Sequence, residues 1–416
     1  SYFSYTVADG QKGFKATYWN NRERSGEPVT TVQITNPFKI TTAGDHEFAS
    51  GVKLEGFSAR YETDFTAPDT EEIVFKSGAT GYFELLVNGQ SLSRYNNWRT
   101  LPSRMAYSVE KGKTYKIEIR YAQLNNWQAN LEFDFGKEVD IDFNNLIRKL
   151  EGIDVVIFAG GLSTQLEGEE MPVNYPGFKG GDRTDIQLPE VQRHCLQALK
   201  AAGKKVIFVN CSGSAIGLVP ETESCEAILQ AWYGGESGGQ AVADLLFGDC
   251  NPSGKLPVTF YKDTTQLADF EDYSMKGRTY RYMTTDPLFQ FGFGLSYTRF
   301  WIGEASLDKT IIKAGEEVKL SVPVTNTGNR NGVEIVQVYI KKVNDPDGPI
   351  KTLRGYKRAA VDSGKTTSVT IPLNSSAFEF YDATQLKMTV TPGEYEIWYG
   401  NSSARTDLKM KTLHIQ

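Results

Sequence analysis

The sequence predicts a multidomain chain, α/β plus all-β, in which an α/β segment lies between two all-β segments. Short runs that alternate apolar and polar residues fill the beginning and the end of the chain, whereas the middle alternates apolar strand-like runs with helical runs. The 416 residues correspond to about three domains at roughly 150 residues each.

Residues 1–140 show the period-two alternation of half-buried strands, with many aromatic and β-branched residues. The clearest runs are residues 15–19, 72–75, 82–87, 115–120 and 131–135. Asn88-Gly89 follows one of these runs and is the signature of a two-residue type I′ hairpin. This segment is therefore predicted to be an all-β sandwich.

Residues 141–275 change to alternating helices and strands. Helical runs at 143–151, 188–202 and 239–247 flank near-continuous apolar runs at 154–160 and 205–209. This pattern predicts a mainly parallel sheet covered on both faces by helices. Such sheets bind ligands at the carboxyl ends of their strands. Residues 161–187, the acidic loop, follow the first strand and are the expected place for chemistry.

Residues 276–300 form a connector, and residues 301–416 return to alternating strands. Period-two runs recur at 317–322, 333–340 and 394–399. About seven short strands in this length predict an immunoglobulin-like sandwich without its disulfide.

The composition argues against several classes of protein. With 45 Lys and Arg against 51 Asp and Glu, the net charge is −6, so a basic surface for nucleic acid is not expected. The sequence has no apolar run near the roughly 20 residues that a membrane span needs. Its 4 Cys and 3 His are too scattered for a metal cluster, and glycine-rich nucleotide motifs are missing, so neither a metal nor a cofactor is predicted.

The acidic loop carries the densest group of titratable residues. Glu167, Glu169 and Glu170 place three carboxylates within four residues, and their mutual repulsion favours a raised pKa, as a general acid requires. A solvated acidic surface is the alternative. Arg183 is predicted to orient a carboxylate or to bind a substrate hydroxyl, with a structural salt bridge as the alternative.

Two other segments suggest chemistry. Ser237 lies in a G-x-S-x-G match, but the only downstream histidine is His414 in another domain, so a glycine-rich helix entry is favoured over an esterase nucleophile. Trp98 follows Asn96 and Asn97, a combination that can stack on a sugar ring and bind its hydroxyls. Packing of this tryptophan against its own loop is the alternative.

Several strings in residues 141–416 resemble the C-terminal portion of a family-three glycoside hydrolase, the β-glucosidase and β-xylosidase family. The strings are Gly161-Leu162 through Glu167-x-Glu169, Asp182-Arg183, Leu188-Pro189-x-x-Gln192, Ala231-Trp232-Tyr233-Gly234-Gly235, Asn251-Pro252-Ser253-Gly254-Lys255, Gly277-Arg278-Thr279-Tyr280-Arg281-Tyr282 and Phe291-Gly292-Phe293-Gly294. Residues 301–416 are similar to that family's fibronectin-III-like domain, through Thr325-Asn326-Thr327-Gly328 and Leu353-Arg354-Gly355-Tyr356.

The first segment is similar to a PA14 module. The matching strings are residues 14–21 and 81–89. In some family members a PA14 module is inserted into the αβ domain and borders the active site. The resemblance thus implies a PA14-like sandwich, a partial αβ-sandwich and a fibronectin-III-like sandwich, and Ser1 is expected where the inserted module begins.

The resemblance implies a retaining mechanism with two carboxylates, an Asp nucleophile on an N-terminal barrel and a Glu acid/base on the αβ domain. In the family's L-E-x-E pattern the second Glu matches best, which assigns the acid/base to Glu169. Glu167 and Glu170 stay open as alternatives, because residues 171–181 resemble an insertion that loosens the register. The implied substrate is an oligosaccharide or glycoside with a terminal β-glucose or β-xylose.

No residue of this sequence stands in the family's nucleophile context. The nucleophile is therefore expected on an N-terminal barrel domain or on a separate chain, and this chain alone is expected to be inactive. A noncatalytic carbohydrate-binding or scaffold fragment is the alternative. The family and its glycan substrates suggest a periplasmic or extracellular location.

Overall fold

The computed structural model describes residues 1–124, 128–169, 171 and 173–416. These residues form two compact units, Ser1–Asp142 and Phe143–Gln416.

The first unit is an antiparallel β structure built from one ten-stranded sheet, with a short 3-10 helix at Phe3–Tyr5. Its strands are β1 (Thr6–Ala8), β2 (Gln11–Lys12), β3 (Phe14–Trp19), β4 (Thr30–Ile34), β5 (Phe38–Thr41), β6 (Ser58–Thr66), β7 (Glu71–Val87), β8 (Gln90–Val109), β9 (Thr114–Ala122) and β10 (Asn130–Gly136). The main strand order is β2-β1-β6-β9-β7-β10-β5, and β3 with β4 continues from β6 while β8 pairs with β7.

The sheet folds over on itself around one aromatic core. Phe38 on β5 and Tyr61 on β6 belong to strands that are separated in the sheet order, yet their rings stack with centroids 5.0 Å apart. Phe14 on β3 and Phe133 on β10 meet edge to face, with centroids 5.8 Å apart. Burial of such rings is the main stabilising term available to a structure with almost no helix.

The hairpin between β7 and β8 confirms the prediction made for Asn88-Gly89. Val87 pairs with Gln90, and the two turn residues have φ angles of 51° and 79°, as a type I′ turn requires. A register shift between Ala79 and Gly81 divides β7 into a part that pairs with β10 and a part that pairs with β9. One long strand therefore links the two halves of the folded sheet.

The second unit begins with alternating helices and strands. They are α1 (Phe143–Lys149), β11 (Val155–Gly161), β12 (Asn174–Tyr175), β13 (Phe178–Lys179), β14 (Asp182–Arg183), α2 (Glu190–Ala201), β15 (Lys205–Cys211), α3 (Val219–Ser224), β16 (Ala227–Gln230), α4 (Gly238–Phe247) and α5 (Thr279–Tyr282). Strands β11, β15 and β16 pair in parallel in that order. The predicted parallel sheet is confirmed, and each predicted helix begins within two residues of its observed start.

The predicted coverage of both sheet faces is wrong for the described residues. Leu196 and Leu199 of α2 cover the face that carries Val206 and Phe208. On β11, Val155 and Ile157 are 47% and 50% exposed, and α4 has no buried side chain. The apolar periodicity predicts which residues can be buried, but it does not predict which helix covers them, because that depends on tertiary packing.

The rest of the second unit is a β-sandwich. Its strands are β17 (Phe300–Ile302), β18 (Ser306–Leu307), β19 (Ile311–Ile312), β20 (Val318–Asn326), β21 (Gly332–Lys342), β22 (Thr352–Val361), β23 (Thr366–Leu373), β24 (Phe380–Asp382), β25 (Lys387–Thr389), β26 (Gly393–Gly400) and β27 (Leu408–Ile415). A four-stranded sheet (β17, β18, β20 and β23) packs on a five-stranded one (β19-β27-β26-β21-β22). Along β20 every second residue is buried, as expected for a strand with one face in the core.

A buried polar seam joins the αβ part of the second unit to its sandwich. Lys255 Nζ lies 2.8 Å from Glu334 Oε1, and their side chains are only 12% and 6% exposed. Gln337 on β21 donates from Nε2 to the carbonyl of Gly292 at 3.0 Å. Both contacts join segments distant in sequence, so the two parts of this unit pack as one body.

Among the described residues, no helix combines the length and the apolar character needed to cross a membrane.

We predict that Glu221→Ala destabilises the second unit strongly. Arg193 on α2 donates from Nε to Glu221 Oε1 at 2.8 Å and from Nη2 to Glu221 Oε2 at 3.2 Å. The Glu221 side chain is only 1% exposed. Removing one partner of a buried ion pair costs about 3 to 5 kcal/mol, which lowers the melting temperature by roughly 5 to 10 °C.

The measurement is thermal unfolding followed by circular dichroism at 222 nm, because all five described α-helices belong to this unit. Glu223→Ala on the same helix α3 is the control, since Glu223 is exposed. Equal melting temperatures for the two variants would contradict the prediction.

Candidate functional site

The candidate site lies at the carboxyl edge of the parallel sheet, where the acidic loop begins. Gly161 ends β11 with a φ angle of 129°, and a Cβ at this position would lie 2.0 Å from the carbonyl oxygen of Cys211 on β15. Only glycine allows the two strands to approach this closely. The position from which the loop leaves the sheet is therefore set by backbone packing.

Two side chains hold the first residues of the loop. Gln192 on α2 accepts from the Gly161 amide at 2.8 Å and donates to the Gly161 carbonyl at 2.8 Å, so its amide binds both backbone groups. Tyr233, which follows β16, donates its hydroxyl to the carbonyl of Leu162 at 3.0 Å. The loop is thus anchored to the helix after it and to the end of the third strand.

A polar network fills the space between the ends of β15 and β16. Asn210, which is fully buried, donates to Gln230 Oε1 at 2.6 Å and to Ser212 Oγ at 3.2 Å. Ser212 Oγ donates in turn to the carbonyl of Ser214 at 2.9 Å. The network shapes the turn that follows β15, which carries Ala215.

The acidic loop folds back on itself through backbone hydrogen bonds. The amide of Glu167 donates to the carbonyl of Ser163 at 3.1 Å, and the amide of Gly168 donates to the carbonyl of Gly181 at 3.1 Å. Gly181 has a φ angle of 92°, and a Cβ there would lie 1.8 Å from the Gly168 carbonyl oxygen. This close approach brings the acidic residues beside β14.

Arg183 connects Glu167 to the turn after β15. Its Nε lies 3.2 Å from Glu167 Oε1, and both terminal nitrogens donate to the Ala215 carbonyl at 3.2 Å. The Arg183 side chain is only 15% exposed. Arg183 thus forms an ion pair with Glu167, a geometry that fits both the predicted orienting of a carboxylate and the structural salt bridge that is its alternative.

The three acidic residues of the sequence prediction occupy different settings. Glu167 is held by Arg183, with its side chain 31% exposed. Glu169 lies two residues further on the same loop and is exposed. Glu170 lies outside the described residues. Arg183 therefore links Glu167 to the sheet edge, while Glu169 faces solvent on the anchored part of the loop.

Trp98 and Ser237 lie apart from this cluster in the chain. Trp98 is on β8 of the first unit, and its side chain is 65% exposed. Ser237 occupies the N-cap position of α4 and is exposed. His414 lies on β27 of the β-sandwich, opposite Glu394 of β26 in the strand register. The glycine-rich helix entry fits this geometry, and the esterase alternative lacks a positioned histidine among the described residues.

Within the part of the chain that the structure describes, no group of three or more His, Cys, Asp or Glu side chains is placed to hold a metal ion.

Sequence reasoning missed the roles of three residues that build the site. Gln192 and Tyr233 anchor the acidic loop, and Asn210 shapes the turn beside Arg183. The signal was present for two of them, since Leu188-Pro189-x-x-Gln192 and Ala231-Trp232-Tyr233 stand among the strings of the family resemblance. No local pattern distinguishes the buried Asn210 from any other strand residue.

Two family models match this chain. The model described as the glycosyl hydrolase family 3 C-terminal domain matches residues 30–297, and the fibronectin type III-like domain matches residues 334–403. The first match covers more than half of the chain and includes the acidic loop.

Curated relatives are named as glycosidases. The chain is 54% identical to a xylan 1,4-beta-xylosidase of Xylanibacter ruminicola, over 97% of this chain and 47% of the relative. It is 36% identical to a periplasmic beta-glucosidase of Salmonella typhimurium, over 55% of this chain and 31% of that protein. A beta-xylosidase of Formosa agariphila matches at 36% over 69% of this chain and 40% of its own length. The chain thus spans about half or less of the length of these relatives.

Solved structures show the same fold. A β-glucosidase from Kluyveromyces marxianus in complex with glucose superposes with a TM-score of 0.65 at 23% identity, covering 100% of this chain and 52% of that one. A β-glucosidase from Erythrobacter marinus gives a TM-score of 0.57 at 34% identity, covering 66% of this chain and 36% of that one. With the family model matched across the αβ segment and its acidic loop, this chain belongs to glycosyl hydrolase family 3, as part of that family's C-terminal region.

Proposed function

We propose that this chain is the section of a retaining, exo-acting β-glycosidase that supplies the acid/base, Glu169, while a barrel outside this sequence supplies the nucleophile. The observation that carries the proposal is the position of Glu169. It is exposed on a loop that leaves the carboxyl end of a parallel strand and is anchored by Gln192, Tyr233 and Arg183.

The ion pair of Glu167 favours Glu169 as the acid/base. Arg183, which is only 15% exposed, holds the Glu167 carboxylate against the scaffold. A general acid must instead hold a proton in reach of the leaving oxygen. Glu167 therefore acts as a positioning residue for the loop, and Glu169 contacts the substrate.

The proposed reaction proceeds in two displacements. The barrel Asp attacks the anomeric carbon while Glu169 gives its proton to the glycosidic oxygen, so the carbon–oxygen bond breaks and the leaving sugar departs as an alcohol. Glu169, now a carboxylate, takes a proton from water. The resulting hydroxide attacks the anomeric carbon and releases the Asp, which retains the configuration.

The names of the relatives support β-linked xylose or glucose as the sugar that is removed. The relative with 54% identity is named as a xylan 1,4-beta-xylosidase, and two further relatives are named as a beta-glucosidase and a beta-xylosidase. Arg183 is proposed to position the acidic loop through its ion pair with Glu167. Trp98 is proposed to offer a stacking surface to a glycan, since its indole is 65% exposed.

The uncovered face of the parallel sheet is an argument for a further segment that packs on it. Among the described strands, β11 pairs only with β15, and Val155 and Ile157 are about half exposed. An open edge with apolar neighbours is a surface that proteins normally cover. We expect further αβ elements, joined to the nucleophile-bearing barrel, to pack here. Export to the periplasm or cell surface is part of the proposal, and the Salmonella relative is named as periplasmic.

We predict that hydrolysis needs the partner. The chain alone should leave aryl β-xyloside and aryl β-glucoside intact, whereas the chain mixed with the polypeptide encoded immediately upstream should hydrolyse at least one of them. Release of the coloured phenol measures the rate. Activity of the isolated chain, lost in Glu169→Gln, would place a nucleophile within these residues.

We predict a leaving-group signature for Glu169→Gln in the mixture. Turnover of xylobiose or cellobiose should fall about 10²- to 10⁴-fold, because these alcohols depart poorly without a proton. Substrates with activated phenols should keep a much faster first step. Azide should restore turnover of Glu169→Ala and yield the β-glycosyl azide, since azide attacks without help from a base.

Glu167→Gln is the matched control for this experiment. It removes the charge that Arg183 binds. The control should lower the turnover of both substrate classes alike and should yield no β-glycosyl azide. An azide product from Glu167→Ala in place of Glu169→Ala would move the acid/base to Glu167.

Noncatalytic glycan binding is the second candidate function, and the exposed indole of Trp98 favours it. On this view the first unit, with its proposed PA14-like character, retains glycans without any reaction. Binding of xylotetraose that is lost in Trp98→Ala, together with no hydrolysis in any mixture, would support this candidate.

A further inference from the structure

A cavity of about 800 Å³ lies between the acidic loop and residues 264–278. Its wall includes Thr184, the residue after Arg183, together with Thr264, Asp269, Phe270, Tyr273 and Arg278. This volume is within the roughly 300 to 1,000 Å³ that is typical of small-molecule sites. The cavity therefore begins at the loop that carries the proposed acid/base.

Two aromatic side chains of this wall are almost completely exposed. Phe270 is 92% exposed and Tyr273 is 90% exposed. Leaving such rings in water forgoes about 1.5 to 3 kcal/mol of burial for a phenylalanine. Neighbouring exposed rings on one loop thus indicate a surface that contacts another molecule.

Hydrogen bonds from one arginine brace the loop that presents these rings. The guanidinium of Arg278 donates to the backbone carbonyls of Asp269, Asp272 and Ser274, at 3.1 Å for Asp269 and 3.0 Å for Ser274. The amide of Asp272 also donates to the Asp269 carbonyl at 3.1 Å. A preorganised loop loses less conformational entropy when a ligand binds.

The loop is also tied to the acidic loop. Thr264 donates its hydroxyl to Asp185 Oδ1 at 3.0 Å, two residues after Arg183. Asp272 accepts hydrogen bonds from the backbone and side chain of Ser274, which hold the pKa of its carboxyl below the usual range. It remains an acceptor at neutral pH. The wall therefore combines aromatic faces with carboxylate, hydroxyl and guanidinium groups.

We propose that this cavity binds the leaving-group side of an oligosaccharide, with Phe270 and Tyr273 stacking on sugar rings beyond the bond that is cleaved. Pyranose rings have an apolar face that suits aromatic side chains, and a rim of hydroxyls that suits carboxylates and threonines. The identity of the sugars as β-linked xylose or glucose rests on the proposed function. The binding site itself rests on the cavity and its preorganised loop.

The experiment measures binding by the 416-residue chain, without catalysis. Xylotetraose and cellotetraose are titrated into the Trp98→Ala chain by isothermal calorimetry, so that this separate candidate contact does not contribute. Phe270→Ala/Tyr273→Ala is added in the same background. We expect the double variant to weaken binding about tenfold, which corresponds to about 1.4 kcal/mol and fits the loss of two aromatic contacts.

Matched controls show whether the loss of affinity is specific to the two loop rings. Tyr356→Ala removes a ring that is 66% exposed on β22 and should bind as the parent does. Both loop residues are exposed, so the melting temperature of the double variant should stay constant.

Two outcomes would overturn the inference. One is absence of saturable binding of either tetrasaccharide to the Trp98→Ala chain. The other is unchanged affinity in the double variant, including the case in which that variant fails to assemble with the upstream polypeptide, which would assign the two rings to a protein contact. Failure of hydrolysis in the mixture with binding intact would count against the proposed function alone.

Discussion

The parallel pairing of β11 with β15 is the constraint on which the candidate site depends. The strands run in register from Val155 opposite Lys205 to Gly161 opposite Cys211, so both end at the same edge. A side chain at Gly161 would collide with the β15 backbone, so the loop leaves the sheet at a position that only glycine fits. This backbone contact sets the start of the loop that carries Glu167 and Glu169.

Arg183 holds the acidic loop in place beyond its starting point at Gly161. Its guanidinium binds a carboxylate on the acidic loop and a carbonyl on the turn after β15, so one side chain joins two of the three strand ends. Tyr233 joins the third. The proposed acid/base would gain from this arrangement, because small displacements from the reacting bond cost much of the rate.

The second unit uses polar interactions in two distinct ways. The pairs Lys255–Glu334 and Arg193–Glu221 are buried and join segments distant in sequence, where loss of one partner would leave an unpaired charge. Arg278 instead organises an exposed loop by binding backbone carbonyls. The first use holds parts of the fold together, and the second braces the loop that carries the two rings of the proposed binding site.

The succession of elements could be predicted from the amino-acid sequence, because periodicity and turn chemistry are local. The alternation in residues 82–87, the Asn88-Gly89 turn and the apolar run of β11 each predict structure within a few neighbours. The motif strings likewise located the acidic loop and named its glutamates. The folded structure was needed to show that Arg183 binds Glu167, that Gln192 and Tyr233 hold the start of the loop, and that one sheet face stays uncovered among the described residues. Those outcomes depend on groups far apart in the chain meeting in space, which no local pattern of residues specifies.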